Sequence, residues 1–278
     1  MGALLKRVDG KKTLYSLFMC AVGLMMVVPF IFMISASFKY TGDVFDKPLE
    51  IIPSRINWDN YPYLFNHKFF FTWYWNSIRV VLLTIVFRTF IVTMAAYTFA
   101  RLDFRGKNWI FMVLLATIMI PGDLTIVARY LIYNYMNLID TQWVIIIPAA
   151  FDVFFLFLLR QFFIVIPREL SEASMIDGCS HFKIYYRIML PLAVPAIVTM
   201  IIFTFIWVWN DYVTPFIFIT DINKQLITVG LQYFQGEAGP QYALQMAGAS
   251  LAIIPTLLFF AFTQRYFVEG IVGSAVKG

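Results

Sequence analysis

The residues best suited to chemistry in this chain lie in one polar interruption of a very apolar sequence, Pro167–Pro195, which carries Arg168, Glu169, Glu172, Asp177, Lys183 and Arg187. Acids and bases interleaved over so short a stretch suit electrostatic contact with another protein. They do not suit bond-making, and no carboxylate pair or Ser/His/Asp set elsewhere has a context that suggests catalysis, so no catalytic residue is assigned. The phosphate-cradling pattern G-x-x-x-x-G-K-[ST] is absent, so the chain is expected neither to bind nor to hydrolyse ATP by itself. Two His and two Cys, with Cys20 in an apolar run and Cys179 in the polar stretch, form no metal-ligating cluster and no expected disulfide. Four more polar residues stand out because apolar sequence surrounds them: Arg88, Asp152, Asn210 and Asp211. Ionisable groups inside a bilayer are costly and mark function by default. Arg88 and Asp152 could pair with each other or with partner helices. Asn210 and Asp211, near Trp207 and Trp209, have the amide, carboxylate and aromatic faces that bind sugar hydroxyls and rings, and they suit helix-end anchoring equally well.

The elements that must position the polar stretch are a helix, a sharp turn and a second helix. Pro167 suits a first turn, where its missing N–H costs nothing, and Glu169 and Glu172 favour the positive end of that helix. Gly178 can take the left-handed conformation that ends it, and Ser180 can cap the next helix. Phe182, Tyr185, Tyr186 and Met189 recur at i, i+3, i+4, i+7 and predict one apolar face, with Lys183 and Arg187 on a basic one. Pro191 and Pro195 mark the return to apolar sequence.

Glu172-Ala173-Ser174, then Gly178 after three residues, then Ile188-x-Leu190-Pro191 after nine more, resembles the EAA loop of ABC-importer membrane subunits. Ser174 and Cys179 stand where the family has alanine, and both are small. In the wider chain, Trp209-Asn210-Asp211-Tyr212, Ile120-Pro121-Gly122, Thr141-Gln142-Trp143 and the ending from Arg265 to Gly278 are similar to permeases of carbohydrate importers of the maltose type. The resemblance implies that Glu172, Ala173, Ser174, Asp177, Gly178, Leu190 and Pro191 form a coupling element seated in a cytoplasmic ATPase. It also implies that Gly273, Lys277 and Gly278 reach towards the ATPase interface. The implied partners are a second, different permease, two ATPase subunits that hold ATP and Mg, and an extracytoplasmic sugar-binding protein.

Composition agrees with a membrane setting. Of 278 residues, 61% are hydrophobic and 13% charged, against about 45–50% and about 25% in soluble domains. The 30 Phe, 15 Tyr and 7 Trp suit lipid-facing and interfacial positions. The net charge of +5 falls mainly in loops between apolar runs, which points to membrane orientation and not to nucleic acid. Six apolar runs predict an all-α, polytopic protein like a type I ABC-importer permease, with spans at Leu14–Ser37, Thr72–Ala100, Asn108–Ile120, Trp143–Ile164, Ala193–Ile219 and Met246–Phe267. The first run exceeds a signal-peptide core of about 7–15 residues, so it reads as a retained helix. Residues 1–13 then form a cytoplasmic N-terminus, 14–268 the permease domain with its loop at 165–195, and 269–278 a cytoplasmic tail. Thirteen of the 21 Lys and Arg fall on the side this topology assigns to the cytoplasm. Both termini are therefore expected inside a bacterial plasma membrane.

The expected function is that of a permease subunit passing an oligosaccharide, driven by ATP hydrolysis on partners. The alternatives are an ion-driven secondary transporter, for which only Asp152 is a candidate carboxylate and no repeat is visible, and an ABC permease for another solute such as a polyol phosphate.

Overall fold

The computed structural model describes residues 10–236 and 239–275. The chain forms two compact units. One takes the chain through His67 together with Leu231–Ile253, and the other takes Lys68–Gly230 and the chain from Ile254 onward. Among the described residues the only strands are Gln235–Gly236 and Gly239–Pro240, a two-rung antiparallel pairing. All else that is regular is helical.

In the first unit, helix α1 (Gly10–Ser37) has 28 residues, roughly 42 Å at 1.5 Å each, ample for a bilayer. Its last carbonyls would be orphans. Asn60, in α2 (Asn60–Asn66), takes over the last of them and a carbonyl of the turn beyond: its Nδ2 donates to Ser37 O at 2.8 Å and to Lys39 O at 3.1 Å. Ser37 Oγ and Tyr61 Oη share a 2.8 Å hydrogen bond. Lys39 is buried but not stranded, since its ammonium donates to Lys47 O at 2.8 Å and lies over the Phe32 ring. The loop after α1 is thus ordered by polar side chains closing on backbone groups.

The second unit is built on α3 (Phe70–Arg101). It packs along α6 (Trp143–Ala150), α7 (Val153–Val165) and α10 (Val194–Trp209). Val92, Ala96, Phe155, Leu159, Met189 and Met200 form the fully buried centre. At its start, α3 holds the segment 219–230. Trp73 Nε1 donates to Ile222 O at 2.7 Å, Asn76 Nδ2 to Asn223 O at 2.8 Å and Gln225 O at 3.0 Å, and Ile227 N–H donates to Ser77 Oγ at 2.9 Å. Gly230 closes against the fully buried Trp73 indole, and a Cβ at 230 would lie 2.4 Å from its Cδ2 and Cε3. The ring cannot retreat while Nε1 is held. Gly230→Ala is therefore expected to cost about 1–3 kcal/mol, the range for overpacking, seen as a lower thermal midpoint of the purified protein in detergent. An unchanged midpoint would contradict this contact.

Several expected spans are interrupted. Helix α4 (Lys107–Thr117) has 11 residues, about 16 Å, short of the roughly 30 Å that Asn108–Ile120 was expected to help cross. Pro121, lacking an N–H, ends that segment, and after a 3-10 turn the chain resumes as α5 (Ile126–Tyr135). The fourth run is two helices, α6 and α7, parted at Phe151–Asp152 shortly after Pro148. The fifth is broken at both ends. Helix α9 (His181–Leu192) meets α10 at 77°, and α10 stops at Trp209, with α11 (Val213–Phe218) beginning beyond Asn210 and Asp211. Helix α12 (Tyr242–Ala275) runs into the expected tail. By length and composition, Leu14–Ser37, Phe70–Arg101, Trp143–Val165 and Tyr242–Gln264 can each cross a membrane, and the bent α9–α10 pair makes a fifth. The count among described residues is thus four or five, because the third run is too short.

Candidate functional site

The first part of the polar stretch, from Pro167 to Ser180, folds as its residues suggest. Pro167 stands just before α8 (Arg168–Ile176), and Glu169 lies in the first turn. The helix ends where Asp177 N–H donates to Ala173 O and Gly178 N–H to Met175 O, both at 3.0 Å, and Cys179 N–H to Ser174 O at 2.9 Å. Gly178 sits at φ +76°, the left-handed region a helix stop of this kind needs. Ser180 Oγ accepts from Lys183 N–H at 3.3 Å and caps α9. Ser171 is buried against the protein, and the half-buried Ser174 donates its Oγ–H to Leu170 O at 2.7 Å within the helix. Glu172, Ala173 and Asp177 are exposed, as are the apolar Leu170 and Ile176, the latter 87%. The result is a short helix presenting apolar and acidic groups together.

Helix α9 departs from its expected face. Tyr185–Met189 is a π turn, in which Leu190 N–H reaches Tyr185 O five residues back. Pro191 has no N–H to give to Arg187, so the ordinary ladder cannot continue. The extra residue rotates the buried set to Ile184, Tyr185 and Met189 and leaves Phe182 and Tyr186 exposed. Tyr185 Oη shares a 2.7 Å bond with Thr93 Oγ1 on α3, tying this segment to the central helix. Leu190 and Pro191 form the last turn before the bend.

Of the four isolated polar residues, the structure joins Arg88 and Asp152. Arg88 is 4% exposed. Its Nε donates to Ala149 O at 2.6 Å and Nη1 to Thr204 Oγ1 at 2.9 Å, while Nη2 lies 3.7 Å from Asp152 Oδ2. The guanidinium also stands over the Phe155 ring. Asp152 Oδ1 accepts from Phe155 N–H at 3.2 Å, capping α7. The pair sits on the α6–α7 break, where Arg88 takes a carbonyl that α6 leaves orphaned and Asp152 takes an N–H that α7 leaves orphaned.

Asn210 and Asp211 lie at the α10–α11 break, Asn210 exposed and Asp211 half-buried. Asn210 Nδ2 donates to Ile206 O at 2.8 Å, and Asp211 Oδ1 accepts from Thr214 N–H at 3.1 Å, opening α11. Trp209 is buried against Phe205 and Tyr74, whereas Trp207 is 47% exposed and packs on Phe155. Lys277 and Gly278 lie outside the described residues, and Gly273 falls in the final helix, beyond the last described side chain.

A polar knot on the same end of α3 as Trp73 was not visible in sequence. Asp140 takes φ +62° and its Oδ1 accepts from Thr220 N–H at 2.9 Å and Asp221 N–H at 2.8 Å. Lys224 Nζ lies 3.5 Å from carboxylates of both Asp140 and Asp221. Gln142 joins it, donating to Lys224 O at 3.1 Å and accepting from Arg79 Nε at 3.2 Å. The N–H groups of Asp221 and Thr220 and the Lys224 ammonium hold the Asp140 carboxyl below the usual carboxylate range, against burial. The Asn223 amide and N–H do the same for Asp221. A carboxyl lowered on folding stabilises the fold above its unfolded value and loses this as pH falls through the folded one. Stability is thus expected to decline from about pH 4 downward. Asp140→Asn should lower the unfolding midpoint at neutral pH and make that acid decline shallower, as followed by thermal unfolding across pH. An equally steep decline in the variant would count against the assignment.

Comparison with known proteins decides the family. The model of the binding-protein-dependent transport system inner membrane component family matches residues 1–272. The chain belongs to this family. The permease is 31% identical to the arabinooligosaccharides transport system permease protein AraQ of Bacillus subtilis over 266 residues, covering 95% of each chain. It is 28% identical to the diacetylchitobiose uptake system permease protein DasC of Streptomyces coelicolor, covering 91% of this chain and 92% of that one. In structure it resembles a chain of a bacterial ABC transporter involved in the import of the acidic polysaccharide alginate, with a TM-score of 0.83 at 21% identity, covering 96% of this chain and 99% of that one. The fold is that of a type I ABC-importer permease.

Proposed function

We propose that this permease pairs with a second, different permease to pass an oligosaccharide, with a sugar-binding protein delivering it outside and two ATPase subunits supplying ATP and Mg chemistry inside. The observation that carries the reading is α8: a helix set between two membrane segments, stopped by a left-handed glycine, with Leu170 and Ile176 exposed beside Glu169 and Glu172. Exposed apolar side chains rimmed by charge suit a partner's groove. In this reading Glu172, Ala173, Ser174, Asp177 and Gly178 form the surface the ATPase grips, and Leu190 and Pro191 pass its motion to the α9–α10 bend. Closure of the ATPase pair on ATP opens the permease outward, and hydrolysis returns it, so the gate has two arrangements biased by the motor. Both termini lie in the cytoplasm, with Gly273, Lys277 and Gly278 near the ATPase interface. Asn210 and Asp211 line the outer part of the pathway, and Arg88 with Asp152 braces it. Oligosaccharide specificity is supported by the relatives named for arabinooligosaccharides and diacetylchitobiose.

The test is uptake of a labelled oligosaccharide by proteoliposomes holding the whole assembly. Uptake should require ATP on the ATPase side and binding protein on the other. Uptake by this chain alone under an ion gradient would overturn the reading in favour of ion-driven transport. Uptake of a polyol phosphate in place of any oligosaccharide would overturn the substrate class alone.

A further inference from the structure

We propose that a basic pocket at one end of the second unit binds the phosphate of an anionic phospholipid, whose acyl chains lie along the exposed face of α4. The pocket, of about 460 Å³, forms where α3 ends, the turn 102–106 reverses the chain and α4 begins, with α7 and the start of α8 as its far wall. Lys107, Arg160 and Arg168 line it. Arg101 and Arg168 are near enough to repel each other. The acids at hand are few. Asp103 lies 3.4 Å from Lys107 but is 92% exposed, so water and salt weaken that pair. Glu169 reaches Arg101 with a weaker influence than Arg168 does.

Three of these cations are held in place. Arg160 Nε donates to Phe99 O at 3.2 Å with its guanidinium 4.2 Å from the Phe111 ring, Lys107 Nζ donates to Leu102 O at 2.7 Å, and Arg101 Nη2 donates to Ile166 O. Anchoring positive groups at one spot against their mutual repulsion pre-forms a site for an anion, and α4 turns its positive end the same way.

What favours a lipid over a soluble anion or an acidic protein is the surface that leaves the pocket. Trp109, also in the lining, is 72% exposed, and Ile110, Met112 and Val113 follow it along α4, each about half exposed. A tryptophan between a charged cleft and an apolar helix face is the arrangement of a bilayer interface. Basic pockets between membrane helices take anionic headgroups.

The test uses the complete assembly in nanodiscs of equal phosphatidylglycerol and phosphatidylcholine, with co-purifying lipid counted by mass spectrometry. The wild type should retain phosphatidylglycerol in preference. Lys107→Gln with Arg168→Gln should reduce that preference by roughly fivefold per charge removed, while Lys47→Gln with Lys224→Gln, neither of which lines the pocket, should not. Excess inorganic phosphate should leave the lipid bound. Equal retention of the two lipids by the wild type, an equal loss in the second pair, or displacement by phosphate would each overturn the proposal. Should the pocket variant fail to assemble, a photoreactive residue in place of Asn108 decides. Adducts with phosphatidylglycerol support the site, and adducts with an ATPase or permease partner overturn it. None of these readouts depends on transport, so they stand apart from the test of the proposed function.

Discussion

Arg88→Met is expected to destabilise the permease by about 3–5 kcal/mol, the cost of removing one member of a buried ion pair. The side chain is 4% exposed and contacts Ala149 O, Thr204 Oγ1, Asp152 and the Phe155 ring. Methionine fills much of the volume but leaves the Asp152 carboxylate without its cation and the Ala149 carbonyl without its donor at the α6–α7 break. Neither can turn to water inside a membrane. The pair is not needed for Coulomb attraction as such, since at 3.7 Å it is a loose contact. It matters because each partner also mends one end of a parted helix. Adding Asp152→Asn to Arg88→Met should therefore recover part of the loss, since the amide still accepts from Phe155 N–H and no charge is stranded. Arg88→Lys should recover little, because one ammonium cannot span acceptors that the planar fork reaches together. Thermal unfolding of the purified variants in matched detergent checks this. A loss below about 1 kcal/mol for Arg88→Met, on the scale of a surface pair, would show that the break is not held this way.

Gly178→Val is expected to abolish most transport while leaving the membrane helices folded. Nothing lies within 4 Å of a Cβ added at Gly178, so crowding is not the mechanism. The backbone is the mechanism: φ is +76°, and a β-branched residue held there costs about 1–3 kcal/mol. The strain falls on the turn that ends α8, and the chain relieves it by losing the Cys179–Ser174 and Gly178–Met175 hydrogen bonds. If a motor must grip α8 in this form, 1–3 kcal/mol lowers the competent population by about 5–150-fold. Gly178→Asn should retain most uptake, because asparagine tolerates the left-handed region. Gly178→Ala should fall between. Uptake and ATPase co-purification measured on the three variants check the order, and equal uptake by Val and Asn variants would show that this turn is not part of coupling.

Much of this architecture is legible in sequence because lipid imposes a simple demand. A run of apolar residues of the right length must become a helix, and the runs at 14–37, 72–100 and 246–267 all did. The polar stretch is legible for another reason, that caps and stops are local. Gly178 and Ser180 act on neighbours within a few residues, and both do what their chemistry suggests. Arg88 with Asp152 is legible in outline, since a charge in a membrane segment needs a partner. The breaks at Phe151–Asp152 and Asn210–Asp211 are legible only as isolated polar residues, because the apolar runs resume beyond them and composition carries the span signal. The π turn escapes as well, since a period of 3.6 assumes that Pro191 leaves the ladder intact. The Asp140 knot joins positions about eighty residues apart through backbone N–H groups, and no local pattern records such a pairing.

The segment after α11 has a consequence for how this surface can change. Trp73 and Asn76 grasp it by the carbonyls of Ile222, Asn223 and Gln225. A carbonyl is common to every amino acid. The fastening to α3 therefore recognises the path of the backbone, while the exposed Asn223 side chain is held separately, its amide donating to Asp221 Oδ1 at 2.9 Å. Natural drift or a designed library could rewrite that outward tip to meet a different visitor with the loss of this one local bond and none of those to α3, provided the new residues follow the same course.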